Sequence, residues 1–439
     1  MQTSQVTLLQ RRDEKMITLL HYIVVWMMAG YLIADMLSGI SLIYLGIDLK
    51  VSLIYKTPLF GLLLLLVGRY NFKLMLAILA VMVVLMVGPV WSYYSVLRLN
   101  LLFADFAYVV KIIMPATVLA YFYVMSKQAP EWTLKWAKRI LWCGFFVLLV
   151  NFMFGALGFG KATYKVGGED EGAGSTGFMM AGNELGATYL LLFGYALHNV
   201  WNNASIRYFA LLAVITVLCG VLVATKTTML ASLILIFMIP IVNEREYLFH
   251  FTWLKVKILV PLTISAIVVV IMIVDILESV GLWERMVFFY EKRGLIMILW
   301  SGRDQFIIDI MQAYIHQSSL FEQFWGQGSS IGLKNLYGKP GVEVDIVDSL
   351  VWFGFIGVFI CTAFYLLLFA TSAKLTTTKW SVYAPCVFLV NGLLTLLSVL
   401  SGHIWMSGTL GIVLGVLNSL MLFEVKGHSV TQTSLAQSK

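Results

Sequence analysis

Apolar residues run along this chain in stretches of about 20, separated by short polar breaks, from near Met16 to near Phe423. Each stretch is long enough to cross a hydrocarbon core ~30 Å thick as a helix. The pattern predicts twelve spans, at 16–37, 51–68, 73–93, 101–126, 138–160, 179–200, 206–224, 227–243, 257–277, 349–372, 379–400 and 403–423. Lys56 and Pro58 interrupt the second. The first is too long for a signal-peptide core and has no small-residue cleavage site, so it reads as a retained span. The chain thus divides into nine membrane helices over 1–277, one long loop over 278–348, three further membrane helices over 349–424 and a polar tail over 425–439.

Polar positions give the sidedness. With RRDEK (Arg11 to Lys15) in the cytoplasm, the loops on that side become GRYNFK, SKQAPEWTLKWAKR, WNNASIR, NEREYLFHFTWLKVK and SAKLTTTK, short and mostly basic, as the positive-inside rule requires. This assignment puts both termini in the cytoplasm and accounts for much of the net charge of +7. The opposite face receives the acidic, glycine-rich turn KATYKVGGEDEGAGSTG and the long loop, where function is expected to reside. Composition agrees: 60% of the 439 residues are apolar and 12% charged, against about 25% charged in soluble domains. The four cysteines all lie in apolar runs with no paired spacing, so buried free thiols are expected.

In the long loop, SGRDQFIIDIMQAYIHQ predicts a helix starting at Gly302, with Ser301 and Asp304 as a capping pair and Phe306, Ile307, Ile310, Met311 and Tyr314 on one apolar face. Arg303 then sits in the first turn, where backbone N–H groups, the helix dipole and a two-pronged guanidinium favour phosphate oxygens. The plainer alternative is an ion pair with Asp304, Glu322 or another loop carboxylate. Lys226 in VATKTTML and Arg98 close other turns on the same face, and Arg285, Lys292 and Arg293 share the long loop. Several such cations would suit a diphosphate, although single interfacial cations commonly snorkel. Gly326, Gly328 and Gly332 permit tight turns and are weak pointers to phosphate.

Glu343, Asp345 and Asp348 precede the tenth span. Asp348 reads as the N-cap of a helix starting at Ser349, which leaves Glu343 and Asp345 as candidates for a general base. His316 suits the end of the loop helix, and His403 opens the last span, capping it or meeting a phosphate. No HExxH, CxxC, Walker or GxSxG pattern occurs, and no set of carboxylates suggests a cation site, so chemistry without a metal or cofactor is expected.

Four stretches resemble the bacterial O-antigen polymerase and O-antigen ligase superfamily: AGNELGATYL with Asn183 at the head of a span; ATKTTML, similar to a Ser-Arg-x-x-x-Leu element with Lys226 in the arginine's place; SGRDQF with Arg303 in the family's Gly-Arg; and VEVDIVDSLVWFGFIG, similar to His-Asn-x-x-Leu followed by Gly-x-x-Gly. Registering the last on Gly354 and Gly357 puts Glu343 at the ligases' histidine and Val344 at their asparagine, a departure that suits the polymerase branch. The resemblance implies an all-α, GT-C-like integral membrane enzyme of the bacterial inner membrane, with its active site on the periplasmic face. It implies metal-independent, inverting transfer between undecaprenyl-diphosphate-linked repeat units, and a chain-length regulator as a partner. Arg303 and Lys226, helped by Arg98, Arg285, Arg293 or His403, would neutralise the departing diphosphate, and Glu343 or Asp345 would hold the acceptor hydroxyl. A ligase acting on the lipid A core is the nearer alternative. A transporter or flippase is the other, for which Asp105 and Lys111 inside the fourth span would mark a polar pathway.

Overall fold

The structure, a computed structural model, describes residues 2–165, 172–244, 278, 283–300, 302–329, 341–378 and 381–424. In chain order its elements begin with α1 (Gln2–Leu45), α2 (Val51–Tyr70), α3 (Phe72–Val96), α4 (Leu99–Gln128), α5 (Pro130–Ala156), the strands β1 (Lys161–Lys165) and β2 (Gly172–Gly177), α6 (Gly182–Asn203), α7 (Ile206–Val223) and α8 (Lys226–Asn243). Then come α9 (Trp283–Trp300), α10 (Arg303–Gln317), α11 (Leu320–Trp325), α12 (Asp345–Thr376), α13 (Ala384–Leu400) and α14 (Leu410–Ser419). Among the described residues eight helices are long and apolar enough to cross a bilayer: α1 from Met16, α2, α3 to Tyr94, α4, α5, α7, α8 and α12. The chain is an all-α, multi-pass membrane protein. Large apolar side chains such as Leu65 and Phe359, 68% and 73% exposed, point outward from these helices, as a hydrocarbon solvent allows.

Eight of the twelve predicted spans fall on these eight helices. The span predicted at 179–200 corresponds to α6, which differs from them in kind. It is buried continuously from Leu185 to His198, walled by α5, α7, α8, α13 and α14, and so stands as a central post surrounded by protein. The span predicted at 257–277 lies outside the described residues. The last two are the short helices α13 and α14.

Several boundaries move for identifiable reasons. The loop predicted around SKQAPEWTLKWAKR is largely helix, because Pro130 at the first helical position starts α5 eight residues before the predicted 138. The span predicted to begin at His403 is helical only from Leu410, and residues 401–409 run unwound between α13 and α14. Non-helical backbone at membrane depth needs protein partners for its polar groups, and the site described below supplies them. Glycines bring α14 close to α4: a Cβ on Gly411 would lie 3.3 Å from Pro115 Cδ, and one on Gly415 2.6 Å from the Pro115 carbonyl oxygen.

The long loop also enters the bundle. α11 opens with a capping box between Ser319 and Glu322, and the chain then passes between α3, α4 and α12. Gly354 kinks α12 with φ 67°, and the N–H groups of Gln327 and Gly328 donate to the Val351 and Trp352 carbonyls at 2.9 and 3.0 Å. Ser329 donates from both its backbone N–H and its hydroxyl to the buried carboxylate of Asp105. Gly326 and Gly328 thus serve turns whose N–H groups are taken by the protein, and Gly332 lies outside the described residues. A Cβ on Gly354 would fall 2.2 Å from the Phe324 carbonyl oxygen at a φ that side chains rarely adopt. Gly354→Ala is expected to cost about 2–3 kcal/mol and lower the melting temperature in detergent; an unchanged melt would show that the loop does not dock as described.

Candidate functional site

Four segments meet at one end of the bundle: the start of α10, residues 341–345, the start of α6 and the unwound stretch 401–409. Gly302, with φ 84°, turns the chain into α10, so Arg303 is the first helical residue. Ser301 lies outside the described residues, and the predicted side-chain cap is replaced by this left-handed glycine. Arg303 donates from Nη2 to Glu343 Oε2 at 2.6 Å, and Asn183 Nδ2 reaches the same oxygen at 3.5 Å and the Ser401 carbonyl at 3.3 Å. The ion pair expected as the plainer reading of Arg303 therefore exists, with Glu343 in place of Asp304 or Glu322. The arginine side chain is 17% exposed and the glutamate 40%. Arg303 Nε is buried with no hydrogen-bond partner among the described residues, so one donor edge of the guanidinium is uncommitted.

Two residues hold the left-handed backbone at this spot, Glu343 with φ 66° and His403 with φ 61°. Their segments cross at Gly402, where a Cβ would lie 2.4 Å from the Glu343 carbonyl carbon and oxygen. Such conformations cost about 1–3 kcal/mol for ordinary side chains and persist only where neighbours enforce them, typically at functional sites. Two carboxylates do the enforcing. Asp348 accepts from the N–H groups of Val342 (2.6 Å) and Glu343 (3.0 Å), and Asp345 accepts from Ile404 (2.9 Å) and Trp405 (3.2 Å). Asp348 is accordingly not the N-cap predicted for it: α12 begins at Asp345 behind Val344, and Asp348, one turn in, reaches backward. Both aspartates are buried and occupied by backbone, and Glu343 is the accessible carboxylate of the three.

This arrangement separates two roles for Asp345. An asparagine retains an acceptor for the two amides, whereas alanine leaves two buried N–H groups unpaired at about 1–3 kcal/mol each. Asp345→Asn is expected to keep near-normal turnover and Asp345→Ala to lower the melting temperature. Loss of turnover in the folded asparagine variant would return Asp345 to the role of base.

Beside Asn183, Glu184 accepts from the Ser407 hydroxyl (2.8 Å) and the Thr409 N–H (3.2 Å), capping the approach to α14. Lys56 is paired with Asp35 at 2.6 and 2.8 Å, and Asp35 also accepts from Ser52. Sequence reasoning treated Lys56 as an interruption and missed Glu184. A charge inside an apolar span was the available signal for Lys56, as it was for Lys111.

The remaining predicted residues are distributed around this centre. Lys226 starts α8 behind the Thr225 cap, its ammonium 5.3 Å over the Phe289 ring of α9. The start of α8 packs on α6 at Gly186, one turn beyond Asn183. Arg98 is exposed at the head of α4, and His316 is exposed in the last turn of α10, about 20 Å along that helix from Arg303. Arg285 and Arg293 are carried by α9, with side chains outside the described residues, and Asp304 follows Arg303 in the first turn. Asp105 holds Ser329, and the Lys111 stem lies along Gly408 with its ammonium 4.8 Å over the Tyr108 ring. All four cysteines are free thiols, and among the described residues no three His, Cys, Asp or Glu side chains gather to hold a metal ion.

No family model matches the chain, and no curated protein matches it.

Proposed function

We propose that the chain is a glycan polymerase joining undecaprenyl-diphosphate-linked repeat units by inverting, metal-independent transfer. The observation that carries this reading is the strained, half-exposed Glu343, held against Arg303 and Asn183 where the first turns of α6, α10 and α12 converge. Helix N-termini favour anions, and the uncommitted Nε edge of Arg303 adds directed charge for a phosphate. The leaving group is already activated, so its departure calls for charge neutralisation more than for a strong acid.

The Arg303–Glu343 pair gives the reaction an order. A free carboxylate beside a guanidinium is a weak base, because the pair favours its ionised form. A diphosphate carries more charge than one carboxylate and competes for the guanidinium, which frees Glu343 to accept the proton of an acceptor sugar hydroxyl. The hydroxyl oxygen attacks the anomeric carbon from the face opposite the carrier. The bond from that carbon to the diphosphate oxygen breaks with its electron pair staying on the phosphate, and configuration inverts. Asn183 keeps Glu343 in place while the arginine turns to the leaving group.

In this reading the chain has twelve spans in a GT-C-like arrangement in the bacterial inner membrane, with both termini cytoplasmic and the site on the periplasmic face. The short basic loops on the side of Arg11 to Lys15 support that orientation. A ligase is the nearer alternative, and the missing His-Asn pair argues against it. A transporter or flippase would draw on the unwound segment 401–409 and the charges at Lys56 and Lys111, features that discontinuous transporter helices also use. The test is a reaction of purified protein with a defined carrier-linked repeat. A ladder of lengthening products supports polymerisation, and recovery of unextended repeats would end it.

A further inference from the structure

A cavity of about 250 Å³ lies between α3, α4 and α12. Its walls are hydrocarbon, with Ile78 and Val81 from α3, Ile112 and Ala116 from α4, and Phe364 and Tyr365 from α12. Among the described residues no charged side chain lines it. The space exists because α3 packs on both α4 and α12, and the small side chains of Ala77 and Ala116 leave the wedge between those two helices unfilled. An apolar cavity of only ~150 Å³ already stays dry and takes up benzene. Left empty, this larger one would forfeit dispersion contacts on every wall.

The surroundings say what fills it. Ala77 at the rim is exposed, and the flanking Leu76, Phe359 and Leu366 are 47%, 73% and 51% exposed on helices that cross the membrane. The mouth therefore opens onto lipid hydrocarbon. Depth narrows the choice of chain. Val81 stands nine residues beyond Phe72, about 14 Å from that end of α3. The long loop docks on α3 further along, at Gly88, where a Cβ would strike the Trp325 carbonyl. The cavity thus lies in the half of α3 away from α11 and the candidate site, at a depth that phospholipids of the opposite leaflet fill with their chains.

We propose that this cavity is a binding site for one acyl chain of a bilayer phospholipid. The chain completes the wall behind the unwound segment, and Tyr365 borders both. Tyr365 lines the cavity, donates to the Ile404 carbonyl at 3.2 Å and stacks on Trp405 with ring centroids 5.7 Å apart. The N–H groups of Ile404 and Trp405 are the two that Asp345 holds, so a chain seated here backs the residue against which 401–409 rests. The inference is independent of the polymerase reading, since it requires only the membrane helices.

The experiment labels the cavity from the lipid phase. Full-length protein is placed in vesicles of dioleoyl phosphatidylcholine containing a phosphatidylcholine with a diazirine near the end of one acyl chain. After illumination, labelled residues are located by mass spectrometry, with the outward-facing Leu65 of α2 as the reference for ordinary lipid contact. The buried Ile112 and Tyr365 are expected to be labelled alongside Leu65. Ala116→Phe, which fills the space, is expected to remove label from both and leave Leu65 unchanged. Ala77→Phe closes the rim and gives the same reading if melting curves show that Ala116→Phe does not fold. Absence of label from Ile112 and Tyr365 in the wild type, or its persistence in either folded variant, overturns the site. Labelling of these residues by a diazirine-bearing farnesol and not by the phospholipid would assign the cavity to an isoprenoid chain and overturn the proposal.

Discussion

Arg303→Ala is expected to abolish chain extension, with a fall of at least ~10²–10³-fold in the rate of repeat addition, the range seen when one donor to a developing oxyanion is removed. The guanidinium is tied to Glu343 at 2.6 Å and keeps a buried Nε with no hydrogen-bond partner among the described residues. Alanine removes the charge facing the leaving group and strands a glutamate beside it, so stability falls as well. Arg303→Lys separates charge from geometry. An ammonium restores the charge without the planar fork, and is expected to recover a minor part of the rate. The measurement is the ladder of polymer lengths in membranes of cells expressing each variant, with protein level and melting temperature as controls. A wild-type ladder from folded Arg303→Ala would remove this residue from the mechanism.

Glu343→Gln is the sharper probe. The amide keeps the size of the side chain, its left-handed backbone and an oxygen for Asn183, and loses the ability to take a proton. General-base assistance is worth about 10²–10⁴-fold, and a loss in that range with little change in melting temperature is expected. Donor binding should survive, because Arg303 is then released from its carboxylate. Near-normal turnover would mean that the acceptor hydroxyl is deprotonated elsewhere, and Asp345→Asn would become the next variant to read.

The spans were legible in the sequence because hydropathy over about 20 residues averages out local detail. The same averaging hid the break at 401–409: SGHIWMSG carries enough apolar residues to pass as helix, although Gly402 and Gly408 were visible breakers. The start of α10 at Arg303 could be read locally, since a glycine and an apolar periodicity mark it. Its partner could not, because Glu343 lies 40 residues away with no periodic link between them. Asp348 was misread because N-cap statistics describe side chains that reach forward, and this one reaches back to Val342 and Glu343. Lys56 and Lys111 were visible as charges in apolar surroundings. Glu184, which ties the start of α6 to Ser407 and Thr409, carried no mark beyond its position after Asn183.

The lashing of the unwound segment bears on how the protein matures. Asn183 and Glu184 find their partners 218 to 225 positions downstream, and Asp345 finds its own 59 and 60 positions on. A nascent chain emerging from the insertion machinery would therefore carry Arg303 and Glu343 for some time without the backing that aligns them. Arg303 and Glu343 would be aligned only when the stretch before α14 threads in and takes up its bonds to Asn183, Glu184 and Asp345.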